Sequence, residues 1–100
     1  SEINRAELKV QPEDIDMLLE KHSSIYEACA FAIPDDISGE LIGVAISAVD
    51  GMPLDLEEIK QWTLKSLTPE KVPDRWFILD QIPKTDRGKI NRDNVATYCL

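Results

Sequence analysis

Two apolar stretches joined by a turn constrain this chain most. Within a strand over residues 25–34, every residue from Cys29 to Ile33 is apolar or small. The same holds for nearly all of a second strand over 41–49. A strand with one wet face alternates, so a run that is apolar on both alternation sets must be covered on both sides. Between the two, Pro34-Asp35-Asp36-Ile37-Ser38-Gly39-Glu40 carries turn chemistry. A connection this short pairs the strands antiparallel. Gly43 inside the second run marks a close approach by a neighbour.

The cover must come from helices. Pro12 suits a first helical turn, Glu13 and Asp14 follow it, and Ile15, Leu18, Leu19 and His22 form one stripe, which predicts a helix over 12–22. Asp55 with Glu58 has the spacing of a capping box. Leu56, Ile59, Thr63 and Leu67 then line the inner face of a helix over 55–67, with Trp62 at its flank. Arg75-Trp76-Phe77-Ile78-Leu79 reads as a third strand over 75–79. A strand–helix–strand passage in one sheet makes it parallel to the second. A loop over 81–89 and a helix from about Asn91 close the chain. Leu8 and Val10 around Lys9 suggest a short extended appendage at the start. The expected fold is α+β: one domain over 1–100, a small mixed three-stranded sheet covered by helices, and a short N-terminal β appendage.

Such a sheet encloses little volume, and no carboxylate pair, nucleophile–base pair or phosphate-cradling glycine loop accompanies it. The domain alone is not expected to enclose a small substrate. A net charge of −8 argues against nucleic acid or an anionic membrane as the main partner. No apolar run reaches the length of a membrane span, and no secretory signal is visible. Cys29 and Cys99 have no metal-binding spacing, so no metal is expected, and a reducing, cytoplasmic setting fits them. His22 has no partner that would make it a ligand or a base, so a structural use is expected.

Against this acidic background, Pro83-Lys84-Thr85-Asp86-Arg87-Gly88-Lys89-Ile90 and the residues after it reverse the balance. Lys84, Arg87, Lys89 and Arg92 face only Asp86, a local charge of +3. A loop that gathers cations ahead of a helix N-terminus presents them to an anion; the alternative is a solvated loop. Gly88 frees the backbone beside Lys89.

This segment resembles the P-K-T-x-x-G-K-[IL]-x-R stretch near the C-terminus of adenylate-forming enzymes, the superfamily of acyl- and aryl-CoA synthetases, adenylation domains and luciferases. Other pieces follow in the family's order. Asn4-Arg5, Lys9-Val10, Pro12 and Ile15 are similar to its I-N-R-G-G-x-K-[IV]-x-P-x-[ED]-[IV]-E stretch. Glu27-Ala28, Pro34-Asp35 and Gly39-Glu40 resemble E-A-A-V…P-D-x-x-x-G-E, and Lys71-Val72-Pro73 resembles K-[VI]-P. His22 matches the usual His after the first helix.

The resemblance implies a C-terminal lid domain whose large N-terminal partner domain holds most of the ATP and carboxylic acid site. Lys89 aligns with the lysine that serves adenylate formation. Lys84, Thr85, Arg87 and Gly88 fall on the ATP side of the same motif, and Ala6, Glu7 and Lys9 on the pantetheine side. It further implies ATP with Mg²⁺, CoA or phosphopantetheine, a lid that rotates for thioester formation, and a hinge at about Ser1 or just before it. The isolated domain is expected to be inactive by itself.

One departure stands out. The family's two glycines in the N-terminal stretch align with Ala6 and Glu7, which puts thioester formation in doubt. That departure supports an alternative, a non-catalytic interaction module of the same fold that docks a carrier protein or a large-domain partner. An unrelated ferredoxin-like regulatory domain would explain the sheet but not the ordered motif pieces.

Overall fold

The computed structural model describes residues 2–100, so the hinge expected at Ser1 lies outside the described residues. The elements run β1 (Ile3–Arg5), β2 (Leu8–Val10), α1 (Pro12–Leu19), β3 (Ile25–Asp35), β4 (Gly39–Ala48), α2 (Leu56–Ser66), β5 (Arg75–Ile78) and α3 (Arg92–Cys99). A 3₁₀ turn at Pro69–Lys71 precedes β5. The fold is α+β, as the patterning predicts.

The doubly apolar strands form the centre. β3 and β4 pair antiparallel from Ile25↔Ala48 to Asp35↔Gly39, and β5 joins β4 in parallel from Gly43↔Arg75 to Ile46↔Ile78. The N-terminal appendage is an antiparallel hairpin, with Ile3 opposite Val10. It adds to the same sheet through Arg5↔Gly39, making five strands where the patterning gives three plus an appendage. That junction is a single residue pair, too small to leave a trace in hydrophobic periodicity.

Each face of β3–β4 has its own core. Ala28, Ala30, Ile42, Val44 and Ile46 pack under Ile15 and Leu19 of α1 and Ile59 of α2. Cys29, Phe31, Ile33 and Ala45 pack under Ile82, from the loop after β5, and Val95 of α3. Gly43 is required on the second face, because a Cβ there would lie 2.7 Å from the Phe31 ring.

α1 ends at Leu19, earlier than the stripe predicts. Lys21 N–H and His22 N–H donate three residues back, to Leu18 and Leu19 carbonyls, so the last turn tightens. His22 still points inward, for a reason periodicity does not show. Ser24 N–H donates to its Nδ1 at 3.1 Å, which leaves the proton on Nε2, and Nε2 lies 2.7 Å from the Glu58 carboxylate. Trp62 meets the imidazole edge-on at 5.1 Å. Asp55 caps α2 by accepting from Glu58 N–H, while the Glu58 side chain is used on His22 and does not return to close the box.

Candidate functional site

The cationic loop leaves the sheet after β5. Leu79 N–H still donates to Ile46 C=O. Ile82 then inserts into the second core at 1% exposure, a burial that contributes about 1.5–3 kcal/mol and fixes where the loop starts. Thr85 folds the tip. Its N–H donates to Lys89 C=O and its C=O accepts from Gly88 N–H, both at 2.8 Å. Its hydroxyl accepts from Lys89 N–H at 3.3 Å. Gly88 takes φ +77°, a left-handed position with nothing near its missing Cβ. Asn91 accepts from Asn94 N–H and starts α3.

The four cations divide into two pairs. Lys84 reaches β3, with Nζ 2.7 Å from Glu27 Oε1. Arg92 reaches the same strand and α1, with Nη1 2.9 Å from Ala30 C=O and 2.7 Å from Asp16 Oδ2. Arg87 and Lys89 are exposed, and among the described residues their charged groups have no ion-pair partner. The cationic loop therefore has two tied ends and a free tip.

β3 is an edge strand, and such an edge carries unpaired backbone groups that need cover. Here α1 supplies it. Asp16 Oδ1 accepts from Ala30 N–H at 2.6 Å and Glu20 Oε2 from Ala28 N–H at 3.1 Å. Asp16 thus bridges a backbone donor and the Arg92 guanidinium. Burial lifts its pKa above the ordinary carboxylate value, against the lowering effect of the Ala30 N–H and of Arg92. Burial alone would pull Arg92 down, but its contacts with Asp16 and its proximity to the Cys29 and Glu13 side chains raise it on balance. The Cys29 thiol beside them is pushed up to about 11, chiefly by burial, so it remains protonated.

The N-terminal site residues lie apart, on the hairpin turn. Ala6 and Glu7 have φ of 50° and 69°, the two successive left-handed residues of a tight two-residue turn that favours glycine or asparagine. Lys9 is exposed on β2. Arg5 ties the hairpin down: Nη2 sits 2.9 Å from Asp74 Oδ1, and Nη1 donates to Glu70 C=O at 3.0 Å. The other Asp74 oxygen accepts from Ile42 N–H at 2.8 Å. Ala6 N–H donates to Ser38 C=O at 2.7 Å.

Nothing local in the sequence marks Asp16, Glu27 or Asp74 as holding residues, because each holds a cation from a distant part of the chain. Surface recesses are open. One of about 600 Å³ lies at the base of the loop among Asp80, Gln81, Ile82, Pro83, Lys84 and Tyr98. Among the described residues no group of three or more His, Cys, Asp or Glu side chains could hold a metal ion, and no helix is long and apolar enough to cross a membrane.

The model of the AMP-binding enzyme C-terminal domain matches residues 14–89. The chain is 40% identical over 98 residues to an oxalate–CoA ligase of Arabidopsis thaliana, covering 98% of this chain and 19% of that enzyme. It is 36% identical over 94 residues to an oxalate–CoA ligase of Saccharomyces cerevisiae, covering 94% of this chain and 17% of that one. Among solved structures, the amide bond synthetase McbA from Marinactinospora thermotolerans superposes with a TM-score of 0.88 at 27% identity, covering 97% of this chain and 20% of McbA. The chain thus spans about a fifth of the length of these relatives.

Proposed function

The chain belongs to the family of AMP-binding enzyme C-terminal domains, and from that premise we propose that it is the mobile lid of an ATP-dependent carboxylic acid–thiol ligase whose large N-terminal domain binds ATP and the acid. The observation that carries the reading is the exposed Lys89 ammonium, unpaired among the described residues, at the tip of a loop whose outer cations are tied to β3.

In the first half-reaction a carboxylate oxygen attacks the α-phosphorus of ATP, and the bond to pyrophosphate breaks. Nucleophile and phosphate are both anionic and repel each other. Lys89, a compact charge on a flexible stem, offsets that repulsion as charge moves from one oxygen to another. Arg87 adds positive potential beside it. Thr85 and Gly88 serve by shaping the tip, and Lys84 by holding its base. In the second half-reaction the thiol of CoA or a phosphopantetheine attacks the acyl carbon and AMP leaves. The lid rotates, and the Ala6-Glu7 turn with Lys9 faces the pantetheine arm.

When bound, Mg²⁺ would neutralise phosphate charge; among the described residues no group of three or more His, Cys, Asp or Glu side chains could hold it, and the large domain is the proposed place for it. Both cysteines are free, which suits a reducing cytoplasm.

The test is acid-dependent chemistry by the intact protein. With ATP, Mg²⁺, CoA and a panel of short mono- and dicarboxylic acids, oxalate and malonate first, at least one acid should release pyrophosphate and yield a CoA thioester. Pyrophosphate release without thioester would confine the chain to adenylation. No acid-dependent pyrophosphate release at all would favour a docking module without chemistry. The side chains at Ala6 and Glu7 favour that second reading, and the retained left-handed turn weighs against it.

A further inference from the structure

Arg92 is half-buried, begins α3 three residues after Lys89, and spends its donors inside the domain. One of its contacts is a backbone carbonyl of the β3 edge, Ala30 C=O at 2.9 Å. Another is Asp16 Oδ2 at 2.7 Å, on a carboxylate whose other oxygen holds Ala30 N–H. Glu13 adds a longer contact at 3.6 Å. Arg92, Asp16 and the Ala30 peptide thus close one ring across α1, β3 and α3. The opposite end of the loop is tied to the same strand at Glu27 through Lys84. Between these ties the Thr85–Gly88 turn leaves the Lys89 side chain free.

We propose that Arg92 is a positioning residue for Lys89, fixing through Asp16 and the Ala30 carbonyl where the loop tip stands relative to the sheet, with Lys84–Glu27 as a weaker second tie. This rests on the reading of Lys89 as the adenylation lysine. A guanidinium suits the task because its rigid plane aims the two N–H bonds of Nη1 at the Ala30 carbonyl and the Asp16 carboxylate while Nη2 turns toward Glu13, a fixed set of directions that a freely rotating ammonium does not hold. Displacement of a reacting group by about 1 Å can cost about 100-fold in rate. A loosened tip therefore weakens adenylation while the domain stays folded.

The experiment compares Arg92→Lys, Asp16→Asn and Lys89→Ala in the intact protein, using an acid it turns over. Arg92→Lys and Asp16→Asn should each lower kcat for pyrophosphate release about 10- to 100-fold. KM for ATP and thioester formation from supplied acyl-adenylate should stay near wild type. Amide exchange should quicken at Thr85 and Gly88 but not along β3–β4. Glu27→Gln should give the same pattern, more weakly. Uniform loss of both half-reactions with faster exchange across β3–β4 would make Arg92 merely structural and overturn the proposal. So would wild-type adenylation in a folded Arg92→Lys beside an inactive Lys89→Ala. If Arg92→Lys does not fold, Asp16→Asn decides by the same criteria, and if neither folds the role is structural and the proposal fails. Wild-type adenylation in Lys89→Ala would instead reject the underlying functional reading, separately from the exchange result.

Discussion

At the N-terminal hairpin two residues with side chains, Ala6 and Glu7, occupy left-handed backbone positions, whereas at the C-terminal loop the left-handed position belongs to Gly88. The hairpin keeps its path against the preference of its residues, at a cost of about 1–2 kcal/mol for each. It does so because Arg5 grips Asp74 and the Glu70 carbonyl, and Ala6 N–H is spent on Ser38. The loop keeps its path without strain at the tip and is held towards its two ends, by buried Ile82 and Lys84 on Glu27 and by Arg92 on Asp16 and Ala30. Tertiary ties can thus impose a backbone shape that the local sequence resists. Where the tip carries Arg87 and Lys89 without ion-pair partners among the described residues, the sequence supplies glycine and leaves the ties at the base.

Exchanging residue types at the two left-handed sites would break this comparison. Gly88→Val should destabilise the protein by about 2 kcal/mol, because a β-branched residue strains that backbone although no atom lies near the added Cβ. Ala6→Gly and Glu7→Gly should each stabilise by about 0.5–1 kcal/mol, the relief of strain exceeding the extra chain entropy of glycine. Denaturant midpoints at constant slope measure both. A neutral Gly88→Val together with a destabilising Ala6→Gly would reverse the argument.

The holding carboxylates offer a smaller, sharper contrast. Asp35 shapes the turn that receives Ala6. It accepts from Ser38 N–H, from the Ser38 hydroxyl and from Ile37 N–H, and these bonds hold its pKa below the ordinary carboxylate value. Asp16, which holds the loop, is lifted above it by burial. Asp35 therefore favours the fold above the ordinary carboxylate value and loses that contribution as pH falls through its depressed pKa. Asp16 favours the fold below the ordinary value, and its contribution fades as pH rises through its raised pKa. Carboxyl chemical shifts followed through acid should show Asp16 titrating at higher pH than Asp35, and the opposite order would remove the contrast.

The central strands were legible because burial on both faces writes itself into consecutive residues, as from Cys29 to Ile33. The capped start of α2 was legible because Asp55 and Glu58 are local. The end of α1 was not, because His22 continues the stripe for the sake of Glu58 and Trp62, residues of another helix. The attachment of the hairpin to β4 rests on the single pair Arg5↔Gly39. In the loop, the charge reversal showed that cations gather, but not which are spent. Lys84 and Arg92 look like Arg87 and Lys89 until Glu27 and Asp16 are brought beside them by the fold.

The central claim is that the ammonium left free in that division does the work. It is tested most directly by Lys89→Ala in the intact protein, with the two half-reactions assayed separately. The account predicts that acid-dependent pyrophosphate release falls about 100- to 1,000-fold, while thioester formation from supplied acyl-adenylate continues near the wild-type rate. Pyrophosphate release at the wild-type rate in that variant would contradict it.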